Sequence, residues 1–209
     1  MTEPSKEELT RARPGSVDTE RLTFVGLRGD QRRHLDRAAL EAGIASLRAP
    51  LDDGEVVLMV ARGPAGERQL PDDAVLTVEG GMPGDRWADQ SAYGPDYQLA
   101  TARADFARLI ANGQLLELHG DNLFLDLDLS SHNLPAGTLL RAGQALLCVT
   151  PVPHNGCKKW VQRFGLGPMQ LNLHPDYRAL HLRGIYLRVV EEGRVRVGDR
   201  VRVVSRGAA

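Results

Sequence analysis

The segment around Cys157 holds the side chains best suited to chemistry in this chain of 209 residues. The thiol follows a His-Asn-Gly sequence and directly precedes Lys158 and Lys159, two of only three lysines in the protein. Gly156 permits a sharp turn before a helix that we predict to begin near Cys157. A thiol at a helix start, beside two ammonium groups, favours the thiolate form. Thiolates attack electrophilic carbon or sulfur and ligate soft metals, so the sequence predicts one of these roles for Cys157.

The other cysteine and the histidines give weaker signals. Cys148 lies in the apolar segment 145–149 and is predicted to be a buried thiol of the core. His154 and Cys157, joined by His174 or His181, are weak evidence for a zinc site, because a single His-x-x-Cys spacing is not diagnostic. We expect no disulfide, since no secretion signal leads the chain to an oxidising compartment.

The charge balance argues against a protein that holds nucleic acid or an anionic membrane by its overall field. Twenty-six basic side chains face 27 acidic ones, for a net charge of −1, so any anion site must be local. The sequence contains no GxxxxGK[ST], GxGxxG, GxSxG or HExxH string. Standard nucleotide sites, serine hydrolases of the α/β type and HExxH zinc sites are therefore not expected.

The elements that must position Cys157 follow from hydrophobic spacing. Apolar residues recur at helical spacing over 30–47, and a second helix is predicted over 104–111, closed by Asn112 and Gly113. Short apolar segments between turns predict strands at 55–62, 74–79, 122–129, 138–142, 145–150, 185–190, 194–197 and 200–204. Such spacing is typical of a closed sheet. We predict an α+β fold with a strand-rich β-barrel and a few flanking helices.

The last two strand segments predict a hairpin. Valines between 195 and 203 alternate with arginines on either side of a turn at Gly198 and Asp199. This alternation requires one buried and one wet face. We interpret the arginines as a solvated outer face and not as a binding patch.

The start of the chain and its apolar runs indicate a cytoplasmic protein. Residues 1–17 are polar and contain two prolines, so we predict a loose tail before a single domain at 18–209. The longest unbroken apolar run, 56–61, has six residues, far short of the roughly 20 needed to span a bilayer. With no apolar leader at the start, we expect a cytoplasmic chain without a membrane partner.

Several strings of the chain together resemble one known family, the MOSC family, which is the C-terminal domain of molybdenum cofactor sulfurase. The match runs from about residue 80 to residue 204, more than half of the chain. The strings are Gly-Met-Pro-Gly-Asp-Arg-Trp at 81–87, Gly-Asp-Asn-Leu at 120–123, Asp-Leu-Asp-Leu at 126–129, Leu-Pro-Ala-Gly-Thr-Leu-Leu-Arg-Ala-Gly at 134–143, His-Asn-Gly-Cys-Lys-Lys at 154–159, Arg-Phe-Gly at 163–165, Arg-Gly-Ile-Tyr-Leu-Arg-Val at 183–189 and Gly-Arg-Val-Arg-Val-Gly-Asp at 193–199. The surround of the cysteine is similar to that of small stand-alone bacterial members, and the family is barrel-like.

The resemblance implies a chemical role for Cys157. The family's motif cysteine carries a persulfide in some members, and in relatives that reduce N-hydroxylated compounds it is the thiolate ligand of molybdenum. In those relatives the pterin dithiolene supplies two further sulfurs. The leading hypothesis is a molybdenum-cofactor-dependent oxidoreductase that reduces small N-hydroxylated substrates. The alternatives are a sulfurtransferase module with a persulfide on Cys157 and a non-catalytic carrier of the cofactor.

The resemblance also makes other motif residues candidates for the site. Asp85 and Asn122 are candidates to orient the pterin amine edge or an oxygen on the metal, although Asp85 is equally explained as a turn residue. His154 is a candidate proton donor for reduction of an N–O bond, and equally a hydrogen-bonded loop histidine. The candidates to bind the cofactor's phosphate and pterin carbonyl are Arg86, Lys158, Lys159, Arg163 and Arg183.

The partners expected depend on which activity is present. No aminotransferase-like domain precedes the matched segment, so we expect no pyridoxal phosphate, and a persulfide would come from a separate cysteine desulfurase. No ferredoxin-like CxxxxCxxC cluster follows the barrel, so a reductase would need an external electron donor. A small-molecule substrate is expected in either case, and the oligomeric state is left open.

Overall fold

The computed structural model describes residues 5–12, 19, 22–89 and 93–208. The strands in these ranges are β1 Asp53–Met59, β2 Ala61–Arg62, β3 Arg68–Gln69, β4 Asp73–Leu76, β5 Leu99–Arg103, β6 Leu123–Asp126, β7 Leu139–Ala142, β8 Ala145–Val149, β9 Ile185–Glu191, β10 Gly193–Arg196 and β11 Arg200–Ser205. The α-helices there are α1 Lys6–Arg11, α2 Arg37–Ser46, α3 Ala104–Ala111, α4 Lys158–Phe164, α5 Leu166–Leu173 and α6 Pro175–Arg178. Short 3-10 helices at Gln31–Arg33, Pro64–Gly66, Pro95–Tyr97 and Leu116–His119 connect them.

Seven of the described strands close into a barrel. Their order is β1, β11, β7, β8, β9, β5 and β6, and β6 pairs with β1 to complete the circle. The β5–β6 pair is parallel, whereas the other barrel pairs are antiparallel. Two small sheets, β4–β10 and β2–β3, lie outside the barrel. The predicted α+β fold with a strand-rich barrel and flanking helices is confirmed.

Inward-facing aliphatic side chains fill the barrel. Val56, Leu125, Leu147, Leu187 and Val201 come from five different strands and have no exposed surface. Full burial of one such side chain contributes about 1.5–3 kcal/mol. Closure also leaves no unpaired strand edge in the barrel, so the loops at its ends sit on a fixed frame.

A layer of helices packs beside the barrel around a second apolar cluster. Trp160 and Phe164 of α4, Leu40 of α2 and Met169 of α5 are at most 1% exposed. Because α4 begins directly after Cys157, this packing fixes the position of the candidate thiol. None of the helices in the described ranges has the length and apolarity needed to cross a bilayer.

The prediction of a loose tail over residues 1–17 is wrong for the stretch that can be described. Residues 6–11 form α1, which begins with a capping box in which Ser5 and Glu8 each accept a hydrogen bond from the other's backbone N–H. Leu9 is fully buried against the helical layer. This single buried leucine anchors the helix. The polar residues around it are the reason that the sequence did not predict the contact. Residues 1–4 and 13–17 lie outside the described residues, and the domain boundary at 18 stays a prediction.

The predicted helix at 30–47 is divided, whereas the helix at 104–111 is confirmed. Asp30 accepts a backbone N–H at the start of a 3-10 helix, and Asp36 accepts another at the start of α2. Two caps in succession therefore interrupt the helix. α3 covers 104–111 and ends at Asn112, whose φ of 45° is left-handed, as a helix terminator requires.

The predicted hairpin of the last two strands is wrong. β10 pairs with β4, and β11 pairs with β1 and β7 in the barrel. Alternation gives the buried face at Val195 and Val201, which are fully buried, but Val197 is 39% exposed. The pattern cannot name the partner strand. The arginines of both strands do lie on the outer face, paired with Asp73 and Asp53.

Candidate functional site

A pocket of about 250 Å³ lies where the barrel meets the helical layer. Cys157 is exposed and lines this pocket. Cys148 is buried on β8, as predicted from its apolar surroundings. A Cβ atom on Gly156 would lie 2.3 Å from the sulfur of Met169, so this glycine lets the loop pack closely on α5 just before Cys157. The thiol therefore stands at the end of a loop whose backbone is held by the helical layer.

The lining of the pocket is strongly cationic. None of the lining residues that the structure describes is acidic. The cationic side chains that line it are Arg62, Arg68, Arg86, Lys159, Arg163 and Arg183. Arg62 is paired with Asp85 at 2.8 Å, and Arg183 is paired with Asp121. The other four have no carboxylate partner among the described residues, so the pocket presents uncompensated positive charge.

Burial and mutual repulsion lower the pKa values of two of these cations. Burial, followed by the charge of Arg68, lowers the pKa of Arg163 to about 10. Burial and the charge of Arg86 lower the pKa of Lys159. The charge of Cys157 acts on both groups in the opposite direction. An anion in the pocket would relieve the repulsion among these cations.

Four of the arginines are held by four consecutive backbone carbonyls at 117–120, which we call the carbonyl turn. The pairs are Arg68 Nε to Glu117 O at 3.1 Å, Arg163 Nη1 to Leu118 O at 2.7 Å, Arg183 Nη2 to His119 O at 3.0 Å and Arg62 Nη1 to Gly120 O at 3.2 Å. Arg62 lies on β2, Arg68 on β3 and Arg163 on α4. Arg183 lies in the loop just before β9. The carbonyl turn thus brings cations from four parts of the chain to one wall of the pocket.

Gly120→Ala is expected to weaken anion binding in the pocket. Gly120 has a φ of 78°, and an added Cβ would lie 3.4 Å from Arg68 Nη2 and 3.7 Å from Arg163 Nη1. Left-handed backbone costs about 1–2 kcal/mol for alanine, and the added methyl crowds two pocket arginines. We expect the Kd for pyrophosphate, measured by calorimetry, to rise roughly 3- to 10-fold.

The matched control for this experiment is Gly113→Ala. Gly113 has a similar φ of 83° and is not among the pocket-lining residues. It should lose a comparable amount of stability while keeping the affinity for pyrophosphate. Equal affinities in the two variants would show that the carbonyl turn does not set the position of the cations.

Asp85 and Asn122 lie behind the pocket wall and do not line it. The carboxylate of Asp85 accepts from the guanidinium and the backbone N–H of Arg62, from the backbone of Trp87 and from Asn122 Nδ2 at 2.7 Å. Asn122 is fully buried and also bonds the backbone of Val60 and of Ala100. Asp85 therefore holds Arg62, and Asn122 supports Asp85 from behind. The cofactor role that the resemblance implies for these two residues stays a prediction.

His154 lines the pocket as a neutral ring. Burial, with the charges of Arg183 and Arg62, holds its pKa well below the usual 6.5. Its Nδ1 is buried without a hydrogen-bond partner and lies 3.7 Å from Asp121 Oδ1. An imidazolium is therefore not available at neutral pH. The ring can still donate a hydrogen bond from one nitrogen.

Three buried nitrogens around the pocket lack partners. Within the described ranges four buried side-chain nitrogens make no hydrogen bond, and three of them, in Trp87, His154 and Arg183, belong to residues that line the pocket. Leaving a buried polar group unpaired costs roughly 1–3 kcal/mol. Their concentration at one place indicates that the pocket is built for a polar occupant.

Aromatic rings form another wall of the pocket. Tyr93 contacts Tyr97 at 5.5 Å between ring centroids, Tyr97 contacts Tyr186 at 5.2 Å, and Tyr186 contacts His154 at 4.3 Å. All four line the pocket. A polar, anionic ligand that also carries a flat or apolar part could use both walls.

The structure brings most of the predicted cations together and adds others. Arg86, Lys159, Arg163 and Arg183 line the pocket with Cys157, whereas Lys158 is half-buried and is not among the lining residues. Sequence reasoning missed Arg62, Arg68, Asp121 and the tyrosines. Asp121 and Tyr186 lie inside the quoted strings, but Arg62 and Arg68 precede them and carry no signal of their own. No cluster of three His, Cys, Asp or Glu side chains suited to a metal ion occurs in the described part of the chain.

A closed barrel with a cationic pocket that contains a thiol can be compared with known protein families. The model of the MOSC domain matches residues 93–202, more than half of the chain, so the chain belongs to the MOSC family. The resemblance noted from the sequence is confirmed. A comparison with curated proteins gives no match.

Solved structures show the same fold. YiiM from Escherichia coli is 24% identical with a TM-score of 0.51, and the match covers 74% of this chain and 72% of that one. The YUAD protein from Bacillus subtilis is 21% identical with a TM-score of 0.51 and coverages of 72% and 95%. YiiM from Geobacillus stearothermophilus is 18% identical with a TM-score of 0.52 and coverages of 75% and 77%. At these identities the likeness is one of fold.

Proposed function

We propose that this protein binds molybdenum cofactor through Cys157 and reduces small N-hydroxylated compounds. The observation that carries the proposal is an exposed thiol in the same pocket as six cationic side chains, with no acidic side chain among the described lining residues. Membership of the MOSC family supports the choice of cofactor.

The residues of the pocket fit this cofactor chemically. A cysteine sulfur is a soft ligand of the kind that suits a molybdenum centre already bound by sulfur. Arg86, Lys159, Arg163 and Arg68 have no carboxylate partner among the described residues and suit a phosphate group. The unpaired nitrogens of Arg183 and Trp87 offer hydrogen bonds to a polar occupant.

The chemistry that the bound cofactor supplies is two-electron transfer at an N–O bond. An N-hydroxylated substrate, two electrons and two protons then give the amine or amidine and one water. The protein's own part is to hold the cofactor by Cys157 and the cations and to place the substrate against the aromatic wall of Tyr93, Tyr97 and Tyr186. The electrons come from a separate electron donor, which is the partner that the proposal requires.

The neutral state of His154 affects the source of the two protons that reduction of the N–O bond consumes. Because burial holds the pKa of His154 well below 6.5, the ring does not serve as a cationic acid at neutral pH. We assign it a hydrogen bond to the substrate or to water in the pocket. The two protons are then taken from solvent in the open pocket.

Cys157→Ser is expected to abolish retention of molybdenum. The protein would be produced in a host that makes the cofactor, and metal content would be measured by mass spectrometry and pterin by fluorescence after oxidation. The wild type should hold about one molybdenum per chain and reduce an amidoxime with an artificial electron donor. The serine variant should hold at least tenfold less metal, because a neutral hydroxyl is a poor ligand for a soft centre.

The matched control is Cys148→Ala, which removes the buried cysteine on β8 and should leave the metal content unchanged. A wild type without molybdenum, or a serine variant that keeps it, would refute the proposal. Molybdenum without turnover would leave a cofactor carrier. A sulfur atom gained by Cys157 after incubation with a desulfurase, without molybdenum, would favour the sulfurtransferase.

A further inference from the structure

We infer that Cys157 of the metal-free protein is a site of selective thiol–disulfide exchange with anionic low-molecular-weight disulfides, of which glutathione disulfide is the probe. The product would be a mixed disulfide that occupies the cationic pocket. The inference does not depend on the proposed function, since it concerns the chain without a cofactor.

Charge supplies the selectivity. Four cations that line the pocket with Cys157 have no carboxylate partner among the described residues: Arg68, Arg86, Lys159 and Arg163. The net charge of the whole chain is −1, so this field is local to the pocket. A cleft lined by charges of one sign raises the rate of association with an oppositely charged reactant by about 10- to 1000-fold. A disulfide that carries carboxylates should therefore reach Cys157 faster than a cationic one.

The pocket also offers partners to the carboxylates and amides of such a ligand. The Arg183 side chain is 7% exposed and that of His154 is 4% exposed, and each has a buried nitrogen without a hydrogen-bond partner. Both side chains line the pocket that holds the thiol. These groups point to a polar ligand independently of the cysteine.

The reaction balances without a further reagent. The thiolate of Cys157, whose proton has passed to solvent, attacks one sulfur of the disulfide. A new S–S bond forms to Cys157 as the original S–S bond breaks, and one glutathione thiolate leaves. The sulfur of Cys157 is oxidised and the leaving sulfur is reduced, so the disulfide itself is the oxidant.

The experiment compares two disulfides of opposite charge on the metal-free wild type. Glutathione disulfide and cystamine would be incubated separately with the protein, and the adduct on Cys157 would be followed by intact and peptide mass spectrometry. Each rate would be divided by the rate of the same disulfide with a small free thiol. We expect a normalised preference for glutathione disulfide of at least about tenfold at low salt. The preference should shrink severalfold at 1 M salt, where the screening length is about 3 Å.

Variants connect the preference to the pocket. Lys159→Gln and Arg86→Gln should each reduce it, because each removes one uncompensated cation from the pocket that Cys157 lines. Arg202→Gln is the matched control, since Arg202 is 66% exposed and pairs with Asp53 on the outer face. The buried Cys148 provides an internal control and should gain no adduct in the folded protein.

Equal normalised rates for the two disulfides, a faster reaction with cystamine, or no adduct on Cys157 would each overturn the inference. These outcomes are separate from the molybdenum experiment, because they use the chain without metal. A protein that fails to bind molybdenum can still show the preference, and one that binds molybdenum can lack it.

Discussion

Replacing Asp121 by alanine is expected to lower the free energy of unfolding by roughly 3–5 kcal/mol. Asp121 is fully buried and accepts from Arg183 Nη1 through both carboxylate oxygens, at 2.7 Å to Oδ1. Arg183 is itself 94% buried, so the variant would leave a guanidinium without its counterion beside other cations. Urea unfolding followed by tryptophan fluorescence measures the loss, with the slope against denaturant unchanged.

A double variant tests whether the loss of stability comes from an unpaired buried charge or from altered packing. Replacing Asp121 by leucine and Arg183 by methionine removes both charges, and a buried pair replaced by apolar side chains is often neutral in stability. We expect the double variant to recover most of the loss seen with Asp121→Ala. A single variant that loses less than about 1 kcal/mol would mean that Arg183 is compensated by solvent in the pocket.

The local features of the fold could be predicted from the sequence, and the long-range pairings could not. α3 and its terminator Asn112 follow from apolar spacing and one left-handed residue, both of which act within a few positions. The partner of β10 depends on which strand lies beside it in space, and β4 is more than a hundred residues earlier in the chain. Alternating valines and arginines carry no information on that choice.

The residues of the candidate site also fall into those that could be predicted from the sequence and those that could not. Cys157, Lys159 and Arg163 could be proposed because they share one short segment with the motif. The contribution of Arg62 and Arg68 could not, since it arises only when the β2–β3 hairpin meets the carbonyl turn about fifty residues later. A motif can show that a residue matters without showing which atoms it meets.

Acidification from pH 6.5 to pH 4.5 is expected to destabilise the protein, with His119 as one of the main causes. This ring is buried, and its Nδ1 accepts from Trp160 Nε1 at 3.2 Å, so Nε2 carries the proton and donates to Ala107 O at 3.0 Å. Burial, followed by the charge of Arg183, lowers the pKa of His119 from 6.5 to about 3. His119 therefore binds a proton below about pH 6.5 in the unfolded chain, but only below about pH 3 in the folded chain.

The sign follows from this difference in bound protons. Stability from the neutral ring is complete above pH 6.5 and is lost as the pH falls, by about 1 kcal/mol per pH unit for one histidine. His154 has a lowered pKa and adds to the same slope. The carboxylates with lowered pKa values, such as Asp53 and Glu41, start from 3.8 and 4.5, so they act mainly below this window. The interval between pH 6.5 and pH 4.5 thus reduces the part played by these carboxylates. Burial raises the pKa of Asp121, which acts in the direction opposite to the histidines.

Two glutamine variants assign the slope to a residue. His119→Gln should reduce the pH dependence of the unfolding free energy by about 1 kcal/mol per pH unit, whatever stability the variant loses at pH 7. His132→Gln is the control for the loss of an imidazole, because the side chain of His132 is exposed. If both variants kept the wild-type slope, His119 would have to take up its proton in the folded state. Because Nε2 already donates to Ala107 O, that proton would go to Nδ1 and break the hydrogen bond from Trp160 that helps to hold the ring in the pocket wall.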